Sequence, residues 1–395
     1  MQKFIVTGGA PLQGDVRIAG AKNAVLKLMA AAVLSDEPTT LRNVPKISDV
    51  MIMRETMGDI GFDVRRVEGD ALTITARDPD WLFVPLEAAM KMRSSFILLG
   101  PLLTRFGRVI ISNPGGDRIG RRPVNLHVDA MERLGAEIEY KNGYYFARAP
   151  KGLRGARIEF PYVTVMGTEN ALLAATLARG TTVIENAARE PETDDLVAML
   201  RSMGARIERT APHRLEVEGV EQLGGADHRV MGDRLEAGTF AIAAAVTRGS
   251  VAMHGVDPAH LGAFLEVLGQ MGVPFDQTDD GLRVGSAASY RPASVETAPY
   301  PGFATDLQAP LAVLMTQADG DSRIEETIYE DRLDYTMELV KMGAVVEVID
   351  ERQACIAGPT PLHGREVSIA DLRAGATLVL AALAAPETSV ISGVE

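Results

Sequence analysis

A polar or charged residue, a nearly all-apolar helix and a second segment ending in a glycine turn recur about six times along this chain, a period that constrains the fold before any motif is read. The second half of the unit is plainest at Ile60-Gly61-Phe62, Leu134-Gly135-Ala136, Met203-Gly204-Ala205, Met271-Gly272-Val273 and Met342-Gly343-Ala344, at a spacing of about 70 residues. Each glycine follows an amphipathic stretch and precedes alternating residues such as Arg206-Ile207-Glu208. The pattern predicts helix, glycine C-cap, strand.

The first half of the unit carries helices that are apolar on nearly every face: Ala24 to Leu34, Ser94 to Leu103, Ala171 to Ala178, Phe240 to Val246, Leu311 to Thr316 and Ala376 to Ala385. A helix apolar all round belongs inside a layered domain or a membrane. These runs are much shorter than the ~20 residues that span a bilayer, so they are expected to be buried core helices. Just ahead of them stand Lys22-Asn23, Arg93, Glu169-Asn170, Arg234-Glu236, Thr305-Asp306 and Arg373. Helix N-termini present unpaired N–H groups with partial positive charge. If several inner helices point the same way, these ends and the basic side chains beside them define one anion-binding region, with Lys22, Arg93 and Arg373 as contacts. For any one residue alone the competing reading is a solvated or snorkelling first-turn side chain, and it is the recurrence at one phase of the repeat that favours a site.

A chain of 395 residues suits two domains, and 46% hydrophobic residues allow sizeable cores. The net charge of −13 argues against nonspecific nucleic-acid binding, which needs a basic surface. Any anion site must therefore be local. The one cysteine, Cys355, excludes an intramolecular disulfide and a cysteine metal cluster and fits a reducing compartment. Its alternating surroundings, Gln353-Ala354-Cys355-Ile356-Ala357, predict a buried strand position. The N-terminus has no long apolar export segment, so a cytoplasmic protein is expected, without membrane association. Six scattered histidines show no ligand spacing, and neither a metal nor a cofactor is expected, nor an obligatory protein partner.

The strand-like segment Asp15-Val16-Arg17-Ile18 precedes the first unit and must pair somewhere. Pairing it with the later units yields two lobes of three units: residues 1–21 with 230–395, and residues 22–229. Domain interfaces are preferred places for small ligands, so a cleft between the lobes is the expected site. The sixth unit opens normally at Asp371-Leu372-Arg373, but its marker glycine would fall beyond Glu395. The lobe that holds it is expected to be less stable than with that unit completed.

The sharpest local cluster is Asn113-Pro114-Gly115-Gly116-Asp117-Arg118-Ile119-Gly120-Arg121-Arg122-Pro123-Val124-Asn125-Leu126-His127, which follows the strand-like Arg108 to Ser112 and enters a helix with Pro123 at its first turn. Glycines let backbone N–H groups approach an anion, and guanidinium groups match phosphate or carboxylate in a bidentate fork. Three arginines within residues 118–122 of an acidic protein point to phosphate, against the plainer reading of a solvated turn with surface ion pairs.

With this loop, Gly20-Ala21-Lys22-Asn23-Ala24, Met92-Arg93-Ser94, Thr168-Glu169-Asn170, Glu185 to Glu192, Asp233-Arg234 with Gly238-Thr239-Phe240, Thr305-Asp306-Leu307-Gln308-Ala309 and Asp371-Leu372-Arg373, the chain resembles the UDP-N-acetylglucosamine 1-carboxyvinyltransferases over its whole length. The resemblance implies an α/β fold of two lobes, each an inside-out α/β barrel of three repeats with helices within, the sixth repeat here incomplete. It also implies the reaction: phosphoenolpyruvate and UDP-N-acetylglucosamine give the 3-enolpyruvyl ether and phosphate through a tetrahedral ketal, opening peptidoglycan synthesis. Carried across by motif, Lys22, Arg122 and Arg373 hold phosphoenolpyruvate with Arg93 nearby, Asp306 is the base for the sugar hydroxyl, and Asn23 supports the intermediate. The nucleotide sugar is gripped by Arg122, Pro123, Val124, Asn125, Leu126, Thr164, Val165, Asp306 and Ile328, with Arg332 a further charge. Asp233 and Arg234 are expected to be architectural.

Two departures stand out. Most relatives carry cysteine where this chain has Asp117, and a carboxylic acid delivers or relays a proton only if its pKa lies near working pH, which Arg118, Arg121 and Arg122 oppose. Fosfomycin alkylates the family's loop thiol, so this chain is expected to be insensitive to it. The family also carries another phosphoenolpyruvate-binding arginine in an Asp-Arg-Gly motif of the sixth unit, past the last residue here. Two alternatives remain: a catalytically silent sugar-nucleotide-binding paralogue, and an enzyme of the same fold making 5-enolpyruvylshikimate 3-phosphate, which usually has Ser-Lys-Ser where this chain has Ala21-Lys22-Asn23.

Overall fold

The computed structural model describes residues 2–79, 82–115, 122–369 and 372–394. Its helices in chain order are α1 (Lys22–Ala31), α2 (Ser48–Asp59), α3 (Leu86–Lys91), α4 (Leu99–Phe106, entered through a 3-10 turn, Arg93–Leu98), α5 (Asn125–Arg133), α6 (Val165–Ala175), α7 (Pro191–Ser202), α8 (Arg234–Val246), α9 (Gly262–Met271), α10 (Thr305–Met315), α11 (Tyr335–Lys341) and α12 (Leu372–Ala384). The described residues fall into two compact units. One runs from the N-terminus to Ile18 and resumes at Gly232; the other spans Ala19 to Met231.

The longer central unit has three four-stranded sheets of one design. In the third, Arg157–Thr164 pairs in parallel with Thr181–Ala187 across α6, and the antiparallel hairpin of Arg206–Ala211 and Arg214–Glu218 completes it. The second repeats this order with Phe83–Val84, Arg108–Ser112, Tyr144–Arg148 and Glu137–Lys141. In the first, the parallel partner of Thr39–Arg42 is Asp227–Arg229, from the far end of the segment. That late strand closes the set of three, and one hydrophobic core, including Leu28, Phe96, Leu102 and Leu172, fills it.

The other unit uses the same rule. Gln13–Arg17 pairs in parallel with Ser250–His254, which gives the strand-like N-terminal segment its partner. Ser294–Glu296 pairs in parallel with Ser322–Glu325 across α10, and Glu366–Ser368 with Thr388–Ser392 across α12. In the last sheet Lys3–Thr7 lies antiparallel to Thr388–Ser392, where the other sheets place a hairpin strand. Helices α8, α10 and α12 pack against one another at the centre of a second core. Helices inside and sheets outside make each unit an inside-out α/β barrel. No helix among the described residues is long and apolar enough to cross a membrane.

The marker glycines do what their spacing predicts. Gly61, Gly135, Gly204, Gly272 and Gly343 all have φ between 82° and 105°, the left-handed region that ends a helix without a Cβ penalty. Several expectations need correction. Three inner helices begin six residues before their apolar runs, α6 at Val165 rather than Ala171, α8 at Arg234 rather than Phe240 and α10 at Thr305 rather than Leu311, so Glu169-Asn170, Arg234-Glu236 and Thr305-Asp306 lie inside helices instead of ahead of them. α5 begins at Asn125, which leaves Pro123 before the helix and not in its first turn. Cys355 is only partly buried, because Ala354 and Ile356 take the core phase of Gln353–Ala357. Gln353 shares the face of Cys355 and Ile356 lies on the opposite one, so the alternation itself turns Ile356, not Cys355, to the core.

Asn170 ties the central unit's inner helices together. Its Oδ1 accepts from the Gly100 N–H at 2.7 Å and its Nδ2 donates to the Phe96 carbonyl at 3.0 Å. The approach is close enough that a Cβ on Gly100 would sit 2.5 Å from Asn170 oxygens. Nδ2 also lies 3.0 Å from His127 Nδ1, which must therefore accept, placing the imidazole proton on Nε2. Burial, with the nearby Arg93 charge, lowers the His127 pKa to about 3, so the ring stays neutral in this role. Asn170→Ala leaves buried groups on three elements unpaired. It is expected to cost roughly 2–4 kcal/mol and to lower the melting temperature by several degrees; an unchanged melting curve would refute the assignment.

Candidate active site

In the central unit the sequence-predicted residues cluster at the starts of helices. Lys22 and Asn23 are the first two residues of α1, and Lys22 Nζ lies 3.2 Å from Asp49 Oδ1 in the first turn of α2. Arg93 opens the 3-10 turn before α4, and its Nη2 donates to the carbonyl of Arg122. That bond joins two residues expected to meet phosphoenolpyruvate. Pro123 is exposed and Val124 is buried just before α5, where Asn125 is exposed and Leu126 buried. Thr164 and Val165, both half-buried, mark the passage from strand to α6.

Asn125 and Leu126 also line an open recess of about 700 Å³, with Asp129, Arg133, Phe160 and Asn186 among its other walls. The recess is held in shape by polar contacts. Arg133 Nε donates to Asp129 Oδ2 at 2.9 Å, and Asn186, at φ 55°, donates from Nδ2 to the Phe160 carbonyl at 2.6 Å. Asparagine tolerates this left-handed backbone better than most residues.

In the other unit, Asp306 sits in the first turn of α10. Arg332 binds it through Nη2 to Oδ1 at 2.6 Å and donates through Nη1 to Thr305 Oγ1 at 3.0 Å. The Arg332 side chain is 5% exposed and that of Asp306 23%, so the cation is nearly dry while the carboxylate keeps an open side. Such a charge-assisted hydrogen bond is roughly twice as strong as one between neutral groups. Gln308 Nε2 donates to the Arg332 carbonyl at 3.1 Å, and Tyr335 OH donates to Gln308 Oε1 at 2.8 Å.

Behind this pair lies a residue that the sequence reading missed. Glu326 is fully buried. Its Oε2 accepts from Thr305 Oγ1 at 2.6 Å, and its Oε1 accepts from Thr297 Oγ1 at 3.0 Å and from the N–H groups of Ile328 and Tyr329 at 2.8 and 3.1 Å. One carboxylate thus fixes both the Ile328 turn and the start of α10. The signal was present in Glu325-Glu326-Thr327: a strand end where the second glutamate falls in the inward phase.

The remaining predicted residues are less fully placed. Arg373 is the second residue of α12, and Asp117 lies outside the described residues. The architectural expectation for Asp233 is met: it caps α8, accepting from the N–H groups of Leu235 and Glu236 at 2.8 and 3.2 Å.

Comparison with known proteins identifies the family and the fold. The family model described as EPSP synthase (3-phosphoshikimate 1-carboxyvinyltransferase) matches residues 6–395. A UDP-N-acetylglucosamine 1-carboxyvinyltransferase of Afipia carboxidovorans is 46% identical, with 99% of this chain and 94% of that protein covered. One of Koribacter versatilis is 45% identical over 100% of this chain and 91% of its own length. Among solved structures, the enolpyruvyl transferase NikO from Streptomyces tendae superposes with a TM-score of 0.90 at 26% identity, covering 99% of this chain and 93% of its own. EPSP synthase from Acinetobacter baumannii, at 18% identity and a TM-score of 0.77 over 100% of this chain and 94% of its own, shares the fold. The chain belongs to the EPSP synthase family of enolpyruvyl transferases and, within it, to the UDP-N-acetylglucosamine 1-carboxyvinyltransferases.

Proposed function

We propose that this chain transfers the enolpyruvyl group of phosphoenolpyruvate to the 3-hydroxyl of UDP-N-acetylglucosamine and releases phosphate, in the cytoplasm. The observation that carries the reading is the Asp306–Arg332 pair at the start of α10: an acceptor for a hydroxyl proton, backed by a nearly dry cation. A proton is added to the methylene carbon of phosphoenolpyruvate while the sugar oxygen attacks the adjacent carbon, and its own proton passes to Asp306. The resulting ketal then loses a proton from the new methyl group and expels phosphate, restoring the double bond in the ether product. Both steps need cations for phosphate and carboxylate, which Lys22, Arg93, Arg122 and Arg373 supply in this reading. Asp117 is the donor or relay of the methylene proton. Asn125, Leu126, Thr164, Val165 and Ile328 hold the nucleotide sugar, and the recess beside Asn125 and Leu126 has room for part of it.

Phosphate release from phosphoenolpyruvate tests this directly. Release is expected only when UDP-N-acetylglucosamine is present. Release that needs shikimate 3-phosphate instead would identify the sister reaction, and sugar binding with no release would identify a silent paralogue.

A further inference from the structure

Inside the central unit lies an ion pair that the reaction above does not use. Lys27 is the one charged side chain in the run Val25 to Leu34, and it is buried. Its Nζ stands 3.5 Å from Oε2 of Glu169, whose side chain is 0% exposed, and it also donates to the carbonyl of Asn23. Glu169 Oε1 accepts from Thr193 Oγ1 at 3.2 Å, in the first turn of α7. One residue before Glu169, Thr168 Oγ1 donates to the Thr164 carbonyl at 2.7 Å and accepts from the Ala188 N–H at 3.0 Å. The second turns of α1 and α6 and the first turn of α7 therefore meet at one buried ionic joint.

Stability does not explain such a joint. Two desolvated charges cost several kcal/mol each, and well-packed apolar replacements are often neutral or better. What the joint does supply is direction, through the hydrogen bonds of Lys27 to the Asn23 carbonyl and of Thr193 to Glu169 Oε1, while Lys27 Nζ and Glu169 Oε2, which accepts no hydrogen bond among the described residues, attract across 3.5 Å. The joint sits one turn from Lys22 and Asn23 on α1 and one turn from Thr164 and Val165 on α6, the residues that the proposed function assigns to substrate.

We infer that Lys27 and Glu169 are positioning residues, locking the substrate-bearing ends of α1 and α6 in register for transfer. The inference rests on the transferase reading and deepens it. The charge state of the joint is adjustable within the working range. Burial raises the Glu169 pKa to about 7, against the pull of Lys27, with the push of Glu190 and Glu192, and against the hydrogen bond of Thr193. Because the folded value lies above the unfolded one, the native state holds the extra proton. Folding stability from this group is thus present below about pH 4.5 and declines as pH rises through about 7, while the paired, charged joint becomes the major form as pH rises through that same value. Activity and stability are expected to move in opposite directions with pH.

The double variant Lys27→Met with Glu169→Leu separates the two roles. It is expected to melt at or above the wild-type temperature while kcat/KM falls by up to about 100-fold, mostly in kcat, as expected for misplaced groups. Wild-type kcat and KM in that variant would overturn the inference. A second readout does not require the double variant to fold: kcat/KM between pH 6 and 8.5 for the unmodified chain and for Glu169→Gln. The unmodified chain is expected to gain activity through about pH 7 in a limb that the variant lacks, and superimposable profiles would overturn the inference. Sugar-dependent phosphate release in the unmodified chain is measured first. Its absence would overturn the transferase reading, whereas its presence with unaltered variants would overturn the positioning role alone.

Discussion

Asp306→Asn is expected to lower kcat for enolpyruvyl transfer by about 10²–10⁴-fold, the range for loss of a positioned general base, or about 3–5 kcal/mol of transition-state stabilisation. The asparagine keeps an oxygen for Arg332, whose Nη2 now lies 2.6 Å from Asp306 Oδ1, so the first turn of α10 is expected to stay in place. Thr305 remains bound to both Glu326 and Arg332, which preserves the turn even where the charge is lost. Affinity for the nucleotide sugar should therefore change far less than kcat. Isothermal titration beside steady-state kinetics distinguishes the cases: a kcat within a few-fold of wild type would remove Asp306 from the role of base.

The second large effect concerns Asp117. Fosfomycin is expected to leave this chain unmodified and fully active at concentrations that inactivate relatives with a loop cysteine, because a carboxylate is a much poorer nucleophile toward it than a thiolate. Asp117→Cys is expected to take up one equivalent and to lose more than about 100-fold of its activity. Intact-mass spectra of both proteins decide the matter. Labelling of the unmodified chain at Asp117 would contradict the expectation, and an unlabelled cysteine variant would show that position 117 does not correspond to the family's thiol.

The parts of the fold that repeat were legible in the sequence, since repetition turns a weak local signal into a strong one. A single glycine after an amphipathic run is ambiguous, but Gly61, Gly135, Gly204, Gly272 and Gly343 share one phase and one left-handed backbone. That the Asp15-Val16-Arg17-Ile18 segment would pair with the later units followed from a strand with no neighbour in sequence to satisfy it, while its parallel partner, Ser250–His254, was not legible. Lys22, Arg93, Asp306 and Arg332 were identifiable as charges at helix starts or as family motifs. Which groups each would bind was not legible, because ion-pair partners come from other elements.

The misses share a physical cause. Glu169 and Asn170 look like residues ahead of an apolar helix, yet α6 starts six residues earlier and holds them inside the core, paired with Lys27, Thr193, Phe96 and Gly100. A lone lysine in Val25-Leu26-Lys27-Leu28-Met29 was the available clue, since a charge in an apolar helix requires a buried counter-charge elsewhere. Glu326 escaped notice for a related reason. Its importance lies in the Ile328, Tyr329, Thr297 and Thr305 groups that it binds, and no local pattern announces a hub.

The central claim is that carbon from phosphoenolpyruvate becomes bonded to the sugar. Proton NMR of the chain incubated with phosphoenolpyruvate and UDP-N-acetylglucosamine reads this without intermediaries. A pair of vinyl methylene signals on a UDP-linked product is expected, growing in step with free phosphate. Phosphate accompanied by free pyruvate, with the nucleotide sugar unchanged, would contradict it.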